Sequence, residues 1–149
     1  PVDRGGAPGA VIIIDTNLLI YAYNSDAPQH EPAAAWLTTL FNGEEEVGLA
    51  EVVLIGFIRI VTQARIVPKP MEPAGAIALV QSWLERPNAR LLQGTPESLA
   101  HCLHAIATIG VAGNLCTDAQ IAGLALTYRA TVATVDADFQ RFAGLRLIY

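Results

Sequence analysis

Val11-Ile12-Ile13-Ile14-Asp15-Thr16-Asn17 is the stretch whose reading decides the architecture. Four consecutive branched apolar residues fit a short strand covered on both faces, as in a parallel sheet. A half-wet antiparallel strand would alternate instead. A carboxylate, Asp15, follows at the strand's C-terminal edge. In open α/β sheets the ligand crevice lies just outside that edge. Thr16 and Asn17 are suited to capping a helix that begins near Leu18. At this point Asp15 has two readings, a helix cap or a chemical group, and its neighbours alone do not choose between them.

The totals narrow the class. A chain of 149 residues with 52% hydrophobic and 15% charged residues is one well-packed globular domain's worth. No apolar run reaches the roughly 18 residues that a bilayer span needs. The longest candidate, Val52 to Val61, contains Arg59 and reads as a core helix. The net charge of −5, with eight Arg and one Lys, argues against a protein that grips nucleic acid by bulk positive charge. It leaves room for one that holds phosphates locally with a metal and a few arginines. Cys102 and Cys116 have no metal-like spacing, so reduced thiols and a cytoplasmic setting are expected. Residues 1–9 (PVDRGGAPG) read as a flexible leader, which leaves residues 10–149 as the folded domain.

Along the chain, Leu18–Tyr23 predicts a short helix, and Pro28 opens a second that ends at Asn42-Gly43. Glu44-Glu45-Glu46 reads as a solvated connection and Val47–Leu49 as a short strand. Helices follow from Glu51 to Arg65 and from Pro73 to Glu85, then a strand at Ala89–Leu92 and a helix with Thr95 as its cap. Thr117-Asp118-Ala119-Gln120 has the form of a capping box launching a helix through Tyr128. Thr131–Val135 and Leu145–Ile148 close the chain as strands, with Asp136 at the end of the first. Strands separated by helical stretches predict an α/β layered fold, a mostly parallel sheet flanked by helices. His30 and the pair His101 and His104 read as structural, since no third ligand is spaced to help them.

Three aspartates thus fall where such folds place chemistry: Asp15 and Asp136 at strand ends, and Asp118 at a helix start. If they converge, their mutual repulsion demands protons or a cation. Hard oxygen donors of this kind suit Mg²⁺ or Mn²⁺, which accept phosphate oxygens and activate water. The chemistry points to phosphodiester hydrolysis.

Ile14-Asp15-Thr16-Asn17-Leu18-Leu19, Gly56-Phe57-Ile58-Arg59-Ile60-Val61-Thr62, Thr117-Asp118-Ala119 and Asp136-Ala137-Asp138-Phe139-Gln140-Arg141-Phe142 come in an order and spacing that resembles the PIN-domain toxins, the VapC-type ribonucleases of toxin–antitoxin pairs. The resemblance covers nearly all of the chain from residue 11 onward. It implies a PIN-like three-layer fold and metal-dependent cleavage of a structured RNA of the translation machinery. It also implies a homodimer and inhibition by a cognate VapB-type antitoxin. By the same resemblance Asp15, Asp118 and Asp136 are metal carboxylates, with Asp138 nearby.

The family's second acid is where this sequence departs. Many relatives carry a glutamate where Gly56 stands, and Glu51, five residues earlier, resembles the acid found there in one branch. Five residues of helix are about 7.5 Å of rise and roughly 140° of turn, so Glu51 serves only if the helix start faces the metal. Glu51 otherwise complements the helix dipole. Thr16, Asn17 and Thr134 read as groups that orient the carboxylates. Arg59 has two open readings, an ion pair or a phosphate contact. Two rivals remain: a binding module with an inert acidic pocket, and a phosphatase with Asp15 as nucleophile. The second lacks an aspartate two residues after Asp15.

Overall fold

In the computed structural model, which describes residues 10–149, the order of elements follows directly from the apolar pattern; the leader expected over residues 1–9 lies outside the described residues. The strands are β1 (Val11–Ile14), β2 (Glu46–Ala50), β3 (Ala89–Leu92), β4 (Thr131–Ala133) and β5 (Arg146–Ile148). The helices are α1 (Thr16–Tyr23), α2 (His30–Phe41), α3 (Glu51–Val61), α4 (Pro73–Leu84), α5 (Pro96–Ile109) and α6 (Leu115–Tyr128), with a 3₁₀ turn over Ala137–Arg141. All strand pairs are parallel, in the order β3-β2-β1-β4-β5. β1 is central and buried along its whole length, as its unbroken run of branched residues requires. Successive strands are added on one side of β1 as far as β3 and then on its other side as β4 and β5. That is a topological switch point, and its crevice opens at the strands' C-terminal ends.

Packing explains which helices lie where. Gly48 in β2 lets its neighbours close over the sheet: a Cβ there would stand 2.7 Å from Val11 Cγ1 and 2.8 Å from Leu92 Cδ1. Phe57 of α3 meets Trp83 of α4 with ring centroids 4.9 Å apart. Trp83 Nε1 also donates to the hydroxyl of Tyr23 on α1 at 3.1 Å. This aromatic knot ties α1, α3 and α4 to one another. On the other flank Gly123 of α6 lies directly against the backbone of α5 at Ser98 and Cys102. Leu18, Leu19, Ala22, Leu37, Leu40 and Phe41 are buried, so the apolar faces of α1 and α2 are chiefly core. Among the described residues no helix is long and apolar enough to cross a membrane.

Several boundaries differ from the sequence reading, each for a local reason. The helix expected to run to Arg65 stops at Val61, where the Thr62 hydroxyl donates back to Ile58 O at 2.7 Å. α1 begins at Thr16 rather than Leu18, with Asp15 itself as the cap. The expected capping box at Thr117–Gln120 does not form: burial of Leu115 draws the chain into the helix earlier, with Asn114 at the cap position. A reciprocal capping box forms instead between Thr95 and Ser98 at the start of α5. β4 ends at Ala133, two residues before the expected Val135, because the chain turns at Thr134.

Candidate metal centre

The crevice at the C-terminal ends of β1 and β4 is where the acidic side chains gather. Asp15 leaves β1 with its backbone N–H donating to Ala133 O at 2.9 Å, which ties it to β4. Its carboxylate accepts from the backbone N–H of Thr16 at 2.7 Å and from Thr134 Oγ1 at 2.8 Å. The residue is only 4% exposed. Burial lifts its pKa above the ordinary carboxylate range; the two hydrogen bonds pull the other way, and the charge of Asp136 adds to the rise. Asp15 is therefore both things the sequence left open, a helix cap and a member of the acidic site.

Thr134 joins the two arms of the site. While its hydroxyl donates to Asp15, its oxygen accepts from the backbone N–H of Asp136 at 2.9 Å. The expected strand alternation of Thr134 and Asp136 is not what relates them, since β4 has already ended; a tight turn does. Asp136 in turn caps the 3₁₀ turn, accepting from the N–H of Asp138 at 2.9 Å. Phe139, wholly buried, anchors that turn in the core.

α6 delivers the remaining acid. Asp118 in its first turn offers a carboxylate oxygen that lies, with those of Asp136 and Asp138, in a group all within 4.8 Å of one another. Partial burial, then the charges of Asp15, Asp136 and Asp138, push its pKa up to about 7. Four carboxylates from residues 15, 118, 136 and 138 thus meet in one crevice. The salt bridges among the described residues, Arg90–Glu46 and His101–Glu97, leave them without a cationic side chain as partner. Donors of this type, this close and this poorly neutralised, fit a hard divalent cation.

The other expected site residues fall as follows. Thr16 orients Asp15 through its backbone N–H; Asp15's side-chain partners are Thr16 and Thr134, so Asn17 does not share that task. Glu51 stands exposed at the start of α3, beyond the end of β2, with its carboxylate accepting from Gln93 Nε2 at 3.2 Å. It does not join the close acidic group. Asp138 is a fuller member than its supporting role in the sequence reading suggested, and its Asp-x-Asp spacing with Asp136 was the available signal. His30 is structural, its Nδ1 3.0 Å from Tyr21 O. His101 lies 3.7 Å from Glu97 on its own helix and away from the close acidic group.

One consequence is measurable without any substrate. Between the ordinary carboxylate value of 3.8 and about 7, folded metal-free protein holds a proton on Asp118 that the unfolded chain has released. Stability must then fall as pH rises through that window. Urea unfolding in EDTA should give a lower midpoint at pH 8 than at pH 5, and Mn²⁺ should recover the loss at pH 8. A midpoint that does not fall with pH and ignores Mn²⁺ would remove the cluster's electrostatic frustration from the account.

A second concavity lies elsewhere. Tyr23, Leu37, Phe41, Trp83 and Arg86 line a groove of about 370 Å³ between α1, α2 and α4.

The comparisons with known proteins agree with this geometry. The family model described as PIN domain matches residues 12–145. The chain is 42% identical to Ribonuclease VapC33 of Mycobacterium tuberculosis, across 91% of this chain and 95% of that protein. It is 36% identical to Ribonuclease VapC37 of the same organism, across 90% and 93%. Among solved structures, VapBC2 from Rickettsia felis bound to a promoter DNA fragment superposes with a TM-score of 0.68 at 19% identity, covering 93% of this chain and 97% of that one. VapC20 of Mycobacterium tuberculosis, titled a sarcin-ricin loop cleaving toxin, gives 0.67 at 15% identity, covering 91% and 98%. Those two likenesses establish the fold, and the family model and the closer sequences establish the rest: this chain belongs to the PIN-domain family, in its VapC branch.

Proposed function

We propose that this chain is a metal-dependent endoribonuclease, the toxin of a type II toxin–antitoxin pair, acting in the cytoplasm. Its substrate is a structured RNA of the translation machinery, tRNA or rRNA, and cleavage stops translation. The observation that carries the reading is the convergence of Asp15, Asp118 and Asp136, with Asp138, on one crevice at the sheet's switch point. Relatives named ribonucleases, matched along nine-tenths of their length, support it.

In this reading Asp15, Asp118 and Asp136 hold Mg²⁺ or Mn²⁺. Such an ion, when bound there, would supply Lewis-acid polarisation of a phosphoryl group and a water of lowered pKa. Thr134 and the Thr16 N–H fix the rotamer of Asp15, leaving each of its oxygens a further lone pair for a ligand. Asp138 adds negative charge on the exposed side of the crevice. Glu51 enters only as an outer acidic group at the same sheet edge, held by Gln93. The regulator is a VapB-type antitoxin, and the working form a homodimer. The groove between α1, α2 and α4, with its aromatic floor, is of a size and character to seat an antitoxin segment.

The test is cleavage of purified tRNA and rRNA fragments by the pure chain. Activity should require Mg²⁺ or Mn²⁺ and disappear in EDTA. Cleavage that persists in EDTA would overturn the metal role. A folded, Mn²⁺-binding chain that cuts no RNA would favour the inert acidic module.

A further inference from the structure

Arg59 sits on the exposed side of α3 and takes part in no ion pair among the described residues. Its guanidinium folds back one turn along the helix, over Gly56. Arg59 Nη2 is 3.8 Å, and Thr16 Oγ1 3.6 Å, from the point where a Cβ at residue 56 would stand. The arginine and the Thr16 hydroxyl therefore close over the backbone of Gly56, which is buried beneath them. Thr16 is also the residue whose N–H holds the Asp15 carboxylate. A full positive charge thus stands on the Thr16 side of the acidic crevice, bonded to none of its carboxylates among the described residues.

A guanidinium that served only to neutralise the cluster would close on one of its oxygens. Left open, its planar fork matches the two non-bridging oxygens of a phosphate diester. The chain as a whole repels a polyanion, with net charge −5, and four carboxylates line the crevice itself. An RNA strand needs a local attraction to enter.

Resting on the ribonuclease reading above, we propose that Arg59 is a substrate-positioning residue. It binds a backbone phosphate of the RNA on the α3 side of the acidic crevice, where its guanidinium lies over Gly56 and next to Thr16.

The experiment compares Arg59→Ala and Arg59→Lys, each built on the full chain. Binding of a labelled RNA hairpin that the parent cleaves is followed by fluorescence anisotropy in the Asp118→Asn background. Arg59→Ala should weaken binding about tenfold at moderate salt. It should also flatten the dependence of log affinity on log salt by about 0.7 to 0.9, one phosphate's share. Arg59→Lys should keep the salt slope and recover part of the affinity. In the otherwise unchanged protein, KM should rise more than kcat falls, with Mn²⁺ affinity and melting temperature unchanged. Unaltered RNA affinity and salt slope in Arg59→Ala would overturn the proposal while leaving the ribonuclease reading intact. Equal loss of melting temperature and activity would make the arginine structural and overturn it too. A parent chain that neither binds nor cuts RNA would overturn both.

Discussion

Replacing Asp15 by Asn should lower RNA cleavage by more than about a hundredfold and leave the fold intact. The two halves of that expectation rest on different physics. Loss of a partner one step removed from a metal already costs about 10- to 100-fold, so loss of a charged donor itself costs more. The fold survives because Asn retains an oxygen to accept from the Thr16 N–H, which keeps α1 capped. Its amide nitrogen then faces Thr134 Oγ1, whose oxygen has lone pairs to accept it. Removing a buried charge also relieves the desolvation that raises the pKa of Asp15. Calorimetric titration with Mn²⁺ should show weakened binding, and thermal melting in EDTA should show a midpoint no lower than the parent's. Undiminished cleavage with Asn at this position would remove Asp15 from the chemistry.

The second large effect is on stability. Gly123→Ala places a methyl group onto the carbonyl oxygen of Ser98 and 3.2 Å from the backbone nitrogen of Cys102. Both obstacles are main chain of α5, so no side chain can swing aside. The helices must separate, at a cost of about 3 kcal/mol or more. The better helix propensity of alanine offsets only about 1 kcal/mol of that. A net loss of about 2 kcal/mol corresponds to a melting temperature lower by about 4 to 8 °C. Cleavage should fall as well, since α6 carries Asp118 just over one turn before the glycine. A parent-like melting temperature would mean that α5 and α6 are less tightly apposed than their backbones indicate.

Much of this was legible in the residues. The unbroken run Val11–Ile14 announced a strand buried on both faces, and Asp15 at its end marked the crevice. Asp118 and Asp136 could be singled out by position, and the fold brings their charges close to that of Asp15. What escaped was set by contacts between distant segments. Thr95–Ser98 and Thr117–Gln120 look alike as caps, and only the burial of Leu115 decides that the second is not one. Thr134 was noticed through strand alternation, yet its role comes from a turn that ends β4 early. Glu51 was placed by likeness to relatives, and the contact its carboxylate makes with Gln93 has no signal in the spacing. Whether Arg59 lacks a partner cannot be read from one chain of letters, because every acid in the chain is a candidate until the chain is folded.

The strand order has a consequence for synthesis. β1 is made first, yet one of its two neighbours, β4, is made more than a hundred residues later. A growing polypeptide therefore carries an isoleucine-rich edge with unpaired backbone groups until β4 is made, an edge open to mispairing. The same delay separates Asp136 and Asp138 from Asp15 by more than a hundred residues, so a half-made chain has no complete acidic crevice.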